Sequence, residues 1–211
     1  MLIKVCGMRK PENIRCVEML DVDCLGFIFY ARSPRYVPDK SEYMEAIGNC
    51  TKNRAGVFVN ESLDFILDKA KLFRLNYLQL HGNEPVTLCD DLRFQGYYVI
   101  KTFSIATASD FRQTGNYRNS CDCFLFDTKC TGFGGSGKCF DWSLLEAYQG
   151  ETPFLLSGGL TPDCVDDLKK LKHPQLAGID LNSGFEIAPA LKDVGLLKDF
   201  IQKVRCFANG E

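Results

Sequence analysis

The sequence predicts an α/β fold, a single (β/α)8 TIM barrel of parallel strands spanning residues 1–211. Three observations carry that expectation. Short apolar runs alternate with amphipathic stretches from one end of the chain to the other. Eight such pairs recur at a spacing of roughly 25 residues, as parallel strands joined by right-handed crossovers require. No G-x-G-x-x-G follows the first run, which leaves a doubly wound sheet as the weaker alternative.

The elements follow in order. LIKVC (2–6) reads as the first strand, with a helix from about Pro11 to Leu20 behind it. CLGFIF (24–29) leads through a loop to a helix beginning near Pro38. RAGVFV (54–59) precedes an amphipathic helix carrying Leu63, Ile66, Leu67 and Ala70, with Asn60 expected as its N-cap. NYLQL (76–80) is followed by a helix near Glu84 to Leu92, and YYVIKTF (97–103) by one near Ala106 to Thr114. FLFD (124–127) breaks off at an acid, Asp127, ahead of a stretch with four glycines between Thr131 and Lys138. Asp141 then stands where an N-cap would, before Trp142, Leu144 and Leu145. PFLLS (153–157) leads to a helix opening at Thr161–Pro162, and AGIDL (177–181) to a closing helix from Leu191 to Phe207.

Composition narrows the function classes. A formal net charge of −2 offers no basic surplus for a phosphate backbone, so nucleic acid is not an expected partner. No apolar run reaches the roughly 18 residues of a membrane span, and MLIKVCGMRK does not read as a signal peptide, so the cytoplasm is the expected location. The 11 cysteines form no CxxC pair, and their odd number argues against a disulfide framework. They read mainly as small buried apolar residues. The two histidines, His81 and His173, lack partners at ligand spacing, so zinc is not expected, and the sequence offers no site for a nicotinamide or a flavin, so no cofactor is expected.

A barrel localises its chemistry at the C-terminal ends of its strands, with phosphate often held by the loops after strands seven and eight. Here those loops are Ser157-Gly158-Gly159-Leu160 and Asn182-Ser183-Gly184. Bare glycines let backbone N–H groups approach an anion, although glycine is also the default turn residue. Asp127 reads equally as a turn cap or as a catalytic acid under a loop that closes. Taken alone, Cys6 reads as one more core cysteine. Strand alternation sets Lys4 on the face of Cys6, and Gln79 on the face of His81. Strand eight closes against strand one, so Asp180 is expected beside Lys4. That lysine would favour a Cys6 thiolate and lower its pKa. Arg32 and Arg35, either side of Pro34, form a loop suited to a carboxylate or phosphate, or to nothing specific.

Together, KVCG (4–7), GFIFYARSPRYV (26–37), GVFVN (56–60), LQLHG (78–82), FLFDT (124–128), GGSGKCFDW (134–142), SGGL (157–160) and DLNSGFE (180–186) resemble the phosphoribosylanthranilate isomerases of tryptophan biosynthesis. The resemblance runs through nearly the whole chain. It implies an Amadori rearrangement of N-(5′-phosphoribosyl)anthranilate, with Asp127 as general acid and Cys6 as general base. It also implies that Arg35 holds the anthranilate carboxylate and that Gly158, Gly159, Ser183 and Gly184 hold the phosphate. His81, Asp180 and Asn182 fall among the expected substrate-binding residues. The only partner implied is this phosphorylated small molecule, with the chain a monomer or a homodimer.

Three other readings remain to be weighed. A histidine-pathway isomerase performs the same sugar chemistry on a larger, two-phosphate substrate, but that family uses a pair of aspartates, whereas the cysteine at position 6 and the SPRYV loop resemble the anthranilate enzymes. Indole-glycerol-phosphate synthase relies on strand-end lysines, for which Lys4 and Lys101 are poorly placed. A non-enzymatic metabolite binder would keep Gly158, Gly159 and Ser183 and have no use for Cys6 with Asp127.

Overall fold

The computed structural model describes residues 1–128 and 142–208. Eight parallel strands close into a barrel in sequence order. They are β1 (Leu2–Val5), β2 (Cys24–Ile28), β3 (Asn53–Phe58), β4 (Tyr77–Leu80), β5 (Tyr98–Ile105), β6 (Cys123–Thr128), β7 (Phe154–Ser157) and β8 (Leu176–Leu181). Closure is in register, with Lys4 opposite Asp180 and Val5 opposite Leu181. The helices between them are α1 (Pro11–Glu18), α2 (Ser41–Gly48), α3 (Leu63–Leu72), α4 (Val86–Phe94), α5 (Val165–Lys170) and α6 (Val194–Ala208). Among the described residues no helix is long and apolar enough to cross a membrane.

Strand alternation divides the chain into two interiors. Outward-facing residues such as Ile3, Val5, Phe27, Phe58, Leu78, Phe124 and Phe126 pack under the helices as the main core. Its densest part is aromatic. Phe126 lies 4.7 Å from Phe154 and 5.0 Å from both Phe111 and Tyr148, ring centroid to ring centroid. Inward-facing Ile100, Cys123, Leu125 and Leu155 form a small apolar plug, with Tyr77, Tyr98 and Ala177 against it. Two residues further along each strand the same inward face becomes polar: Lys4, Gln79, Thr102 and Asp180 are all buried. One more step reaches Cys6, His81 and Asp127 at the C-terminal rim. Alternation thus carries the barrel from grease to charge to reactive groups.

Several expected boundaries shift for local reasons. Asn60 does not cap the third helix. It adopts φ 55° and accepts a bond from Asn83 N, while Ser62 Oγ accepts from Phe65 N at 3.3 Å. Glu84 lies ahead of α4 instead of opening it, and is buried against Lys101 Nζ at 3.0 Å. The segment after β5 is a 3-10 helix (Ala108–Tyr117) with a Thr107–Asp110 capping box, and Trp142–Ala147 after β6 is also 3-10. A short 3-10 turn, Pro162–Cys164, precedes α5. Leu191 opens no helix. The chain after β8 forms a 3-10 turn (Ser183–Phe185) and a two-stranded hairpin, β9 (Glu186–Ala188) with β10 (Leu191–Lys192), before α6 begins at Val194. The four-glycine stretch, Cys130, Cys139 and the Asp141 cap lie outside the described residues.

The aromatic cluster makes the β6 wall sensitive to truncation. Phe126→Ala should cost about 3–5 kcal/mol of folding stability through the cavity it leaves. Chemical denaturation checks this, and a loss below about 1 kcal/mol would mean that the wall repacks.

Candidate active site

The rim is built from strand ends, and two glycines make room for its cysteine. Cys6 N extends the β1–β8 ladder by donating to Leu181 O at 2.8 Å. A Cβ on Gly26 would stand 2.8 Å from Cys6 Sγ, so the neighbouring strand has to be bare there. Gly7 has φ 77°, and a Cβ on it would meet Arg35 Cδ at 2.6 Å and Asn182 Oδ1 at 2.7 Å. Cys6, Arg35 and Asn182 therefore converge around one glycine.

Beneath them Lys4 Nζ donates to Asp180 Oδ1 at 2.9 Å inside the barrel, as alternation and closure imply. Burial works against the Lys4 charge, but Asp180 outweighs it and holds the ammonium above its usual range. Cys6 corrects an expectation. Burial pushes its thiol up, and the two nearby cations, Lys4 and Lys192, only partly offset that push; Asp180 adds to it. Desolvation beats the lysine, so the Cys6 thiol lies above its ordinary range and is not lowered as expected.

Across the mouth, Asp127 follows Leu125 on the inward face of β6 and remains partly exposed. His81 Nε2 lies 3.7 Å from Asp127 Oδ2, while the Gln79 amide nitrogen sits 3.2 Å from His81 Nδ1 and 3.2 Å from Thr102 Oγ1. The loop after β7 presses on the acid. Gly158 has φ 84°, and a Cβ there would fall 2.1 Å from Thr128 O and 2.7 Å from Asp127 Oδ1. Thr128 Oγ1 ties the same two strand ends by donating to Ser157 O at 2.9 Å. The loop after β8 packs equally close, since a Cβ on Gly184 would meet Leu160 O at 2.2 Å. Gly158, Gly159, Asn182, Ser183 and Gly184, all at least partly exposed, make up a ledge where the two loops meet, with Gly158 against Asp127. Its glycines are what allow the two loops to touch.

Two expected ligands sit differently from a simple open pocket. Asp180 is buried in its pair with Lys4, below the rim. Arg35 reaches the rim already engaged: its Nε donates to Glu186 Oε1 at 2.9 Å and its Nη2 to Oε2 at 2.5 Å. Lys192 Nζ joins them, 2.7 Å from Glu186 Oε1 and 2.8 Å from Asn182 Oδ1. Sequence reasoning missed both residues. Glu186 stood in the DLNSGFE motif without a role, and Lys192 was hidden by the expected helix at Leu191, where the hairpin in fact pairs it with Glu186. Among the described residues no three His, Cys, Asp or Glu side chains gather as a metal site would require.

Comparison with known proteins bears on this arrangement. A family model described as N-(5'phosphoribosyl)anthranilate (PRA) isomerase matches residues 3–203. The N-(5'-phosphoribosyl)anthranilate isomerase of Phocaeicola vulgatus is 54% identical over 205 residues, covering 97% of this chain and 98% of that protein. Monomers of the dimeric phosphoribosylanthranilate isomerase from Thermotoga maritima match with a TM-score of 0.82 at 32% identity, covering 98% of this chain and 100% of that one. A phosphoribosylanthranilate isomerase solved with reduced 1-(o-carboxyphenylamino)-1-deoxyribulose 5-phosphate matches with a TM-score of 0.79 at 31% identity, covering 98% and 100%.

The burial of Cys6 has a direct consequence for its reactivity. Its alkylation by iodoacetamide, followed by peptide mass analysis, should keep rising with pH past the ordinary thiol range. A Cys6 profile that levels off at or below neutral pH would show an activated thiolate instead.

Proposed function

This chain belongs to the N-(5'-phosphoribosyl)anthranilate isomerase family, and on that premise we propose how its own side chains carry out the reaction. The protein is an isomerase of tryptophan biosynthesis. It converts N-(5'-phosphoribosyl)anthranilate to 1-(2-carboxyphenylamino)-1-deoxyribulose 5-phosphate. The rearrangement is an internal redox exchange between C1 and C2 of the sugar, so it needs a proton delivered and a proton removed, with no net change in atoms.

In this reading Asp127 gives its proton to the furanose ring oxygen, the C1–O bond breaks, and the nitrogen lone pair forms a Schiff base. The Cys6 thiolate then removes the proton from C2, and the resulting enolamine tautomerises to the ketone. The observation that carries the assignment is the placement of the two groups on inward faces at the same end of the barrel, on β1 and β6, which flank β7 and β8. A sugar phosphate anchored on the ledge of Gly158, Gly159, Ser183 and Gly184, at the ends of those two intervening strands, would lie between them. An acid and a base acting on one substrate also require unlike surroundings. Here Cys6 is buried over two lysines, whereas Asp127 is partly open beside His81.

The remaining expected residues take supporting parts. Arg35 receives the anthranilate carboxylate, and Asn182, fixed by Lys192, borders the sugar next to Cys6. His81 faces the acid and the approaching ring oxygen. Asp180 acts from below by holding Lys4 charged under Cys6. A homodimer is the assembly suggested by the dimeric Thermotoga relative.

The test follows the fluorescence of anthranilate as freshly generated phosphoribosylanthranilate is consumed. Asp127→Asn and Cys6→Ser should each lower kcat by roughly 100- to 10,000-fold, the usual range for a proton-transfer group. Parent-like turnover in either variant removes that residue from the mechanism. Because the Cys6 pKa is raised, kcat/KM of the parent should rise with pH through the neutral range. That limb should be absent from the residual activity of Cys6→Ser.

A further inference from the structure

The guanidinium of Arg35 is held on one edge only. Nε and Nη2 both point at the Glu186 carboxylate, and among the described residues Nη1 has no hydrogen-bond partner. Glu186 is itself fixed from three other directions. Lys192 Nζ reaches its Oε1, Ala190 N donates to Oε1 at 3.1 Å, and the hairpin register sets Lys192 opposite it. Lys192 is pinned in turn, because Asn13 accepts from its N–H at 2.8 Å and donates to its carbonyl at 3.0 Å. The chain of contacts runs from α1 through the hairpin to the rim.

The order of exposure matters. Side-chain exposure falls from 19% at Arg35 to 5% at Glu186 and 0% at Lys192, so a ligand arriving from solvent can touch only the arginine. Formal charge points the same way. Two cations share one carboxylate, leaving one positive charge that a single incoming carboxylate would balance. Burial opposes the Glu186 charge, but the bonds from Arg35 and Lys192 win and hold its carboxyl below the usual range.

We propose that Glu186 is the positioning residue for recognition of the substrate's aromatic carboxylate: it grips the Nε–Nη2 edge of Arg35 and presents the Nη1 side to that carboxylate. The inference rests on the assignment of Arg35 to the anthranilate carboxylate. A planar fork offers two edges, and filling one in advance fixes the plane of the other, so less side-chain freedom is lost on binding. Lys192 serves as the buried counter-cation that keeps Glu186 ionised and in place. The rival reading of the same contacts is a plug, in which Glu186 competes with the substrate for the arginine.

Binding of reduced 1-(o-carboxyphenylamino)-1-deoxyribulose 5-phosphate, and of its counterpart lacking the carboxylate, separates these possibilities. Calorimetry is run on the parent, Glu186→Gln and Glu186→Asp, with thermal unfolding as the check on folding. The parent should prefer the carboxylated compound. Both variants should lose about 10-fold or more of affinity for it, as expected for a disturbed charge-assisted contact, while binding the counterpart as the parent does. In turnover the loss should appear in KM and leave kcat nearly unchanged. Tighter binding of the carboxylated compound by Glu186→Gln would establish the plug and overturn the proposal, as would equal losses for both compounds. A parent that binds both compounds alike would refute the Arg35 assignment itself, which is a different failure.

Discussion

The buried pair of Lys4 and Asp180 is the interaction on which both the closure and the chemistry depend. It joins the first strand to the last across the seam of the barrel, with both side chains buried. Such a pair is rarely a large net gain in stability, because desolvation of each ion offsets most of their attraction. Its weight lies in what happens when one partner is missing, since the other is then left charged and buried. The seam therefore has one favourable register, the one that brings Cys6 above the lysine and Asn182 beside Gly7. A slip of either strand by one residue would send its charge into the apolar layer under the helices and leave the other unpaired inside the barrel.

The rim above that pair sets the Cys6 thiol between two groups of paired charges. Asp180, Lys4, the Cys6 thiol, Lys192, Glu186 and Arg35 succeed one another from the barrel interior to the solvent. Each cation has an anion beside it, and the outermost group is the arginine. The proposed acid stands apart from this series, with His81 as its close titratable neighbour and glycine backbone at its back. Separation of this kind lets a base be buried among cations while an acid a few strands away stays accessible. Gly7, Gly26, Gly158 and Gly184 are where the arrangement is tightest, and at each the missing side chain is what brings two loops or strands together.

Much of this was legible in the sequence because it depends on period two. Alternation alone put Lys4 with Cys6 and Gln79 with His81, and the barrel's closure put Asp180 beside Lys4. Five of the eight apolar runs end in glycine, asparagine or acid, at Gly7, Asn60, Asp127, Gly158 and Asn182. What escaped was decided by long-range contacts. Asn60 looked like a cap, yet Asn83 and the buried Glu84 draw it into a left-handed turn and leave the capping to Ser62. Leu191 and Lys192 looked helical, yet Asn13 on α1 captures the Lys192 backbone and makes a strand of it. The Cys6 expectation failed on magnitude. The lysine was found, but the cost of burying an anion exceeded its attraction. Propensity and spacing report neighbours along the chain, and these three outcomes belong to partners more than 20 residues distant or to solvent exclusion.

The seam has a further consequence in time. In synthesis Lys4 emerges 176 positions ahead of its counter-ion Asp180. Until β8 is made, an early barrel fragment has to leave that ammonium in water or tolerate it unpaired, so the first seven strands have no closed state to settle into. The hairpin that holds Arg35 comes later still. A chain that stops before β8 therefore lacks the loop of Asn182, Ser183 and Gly184, the grip on Arg35 and the strand that seats Cys6 all at once. The surroundings of Cys6 and Arg35 are completed together, by β8 and the hairpin after it.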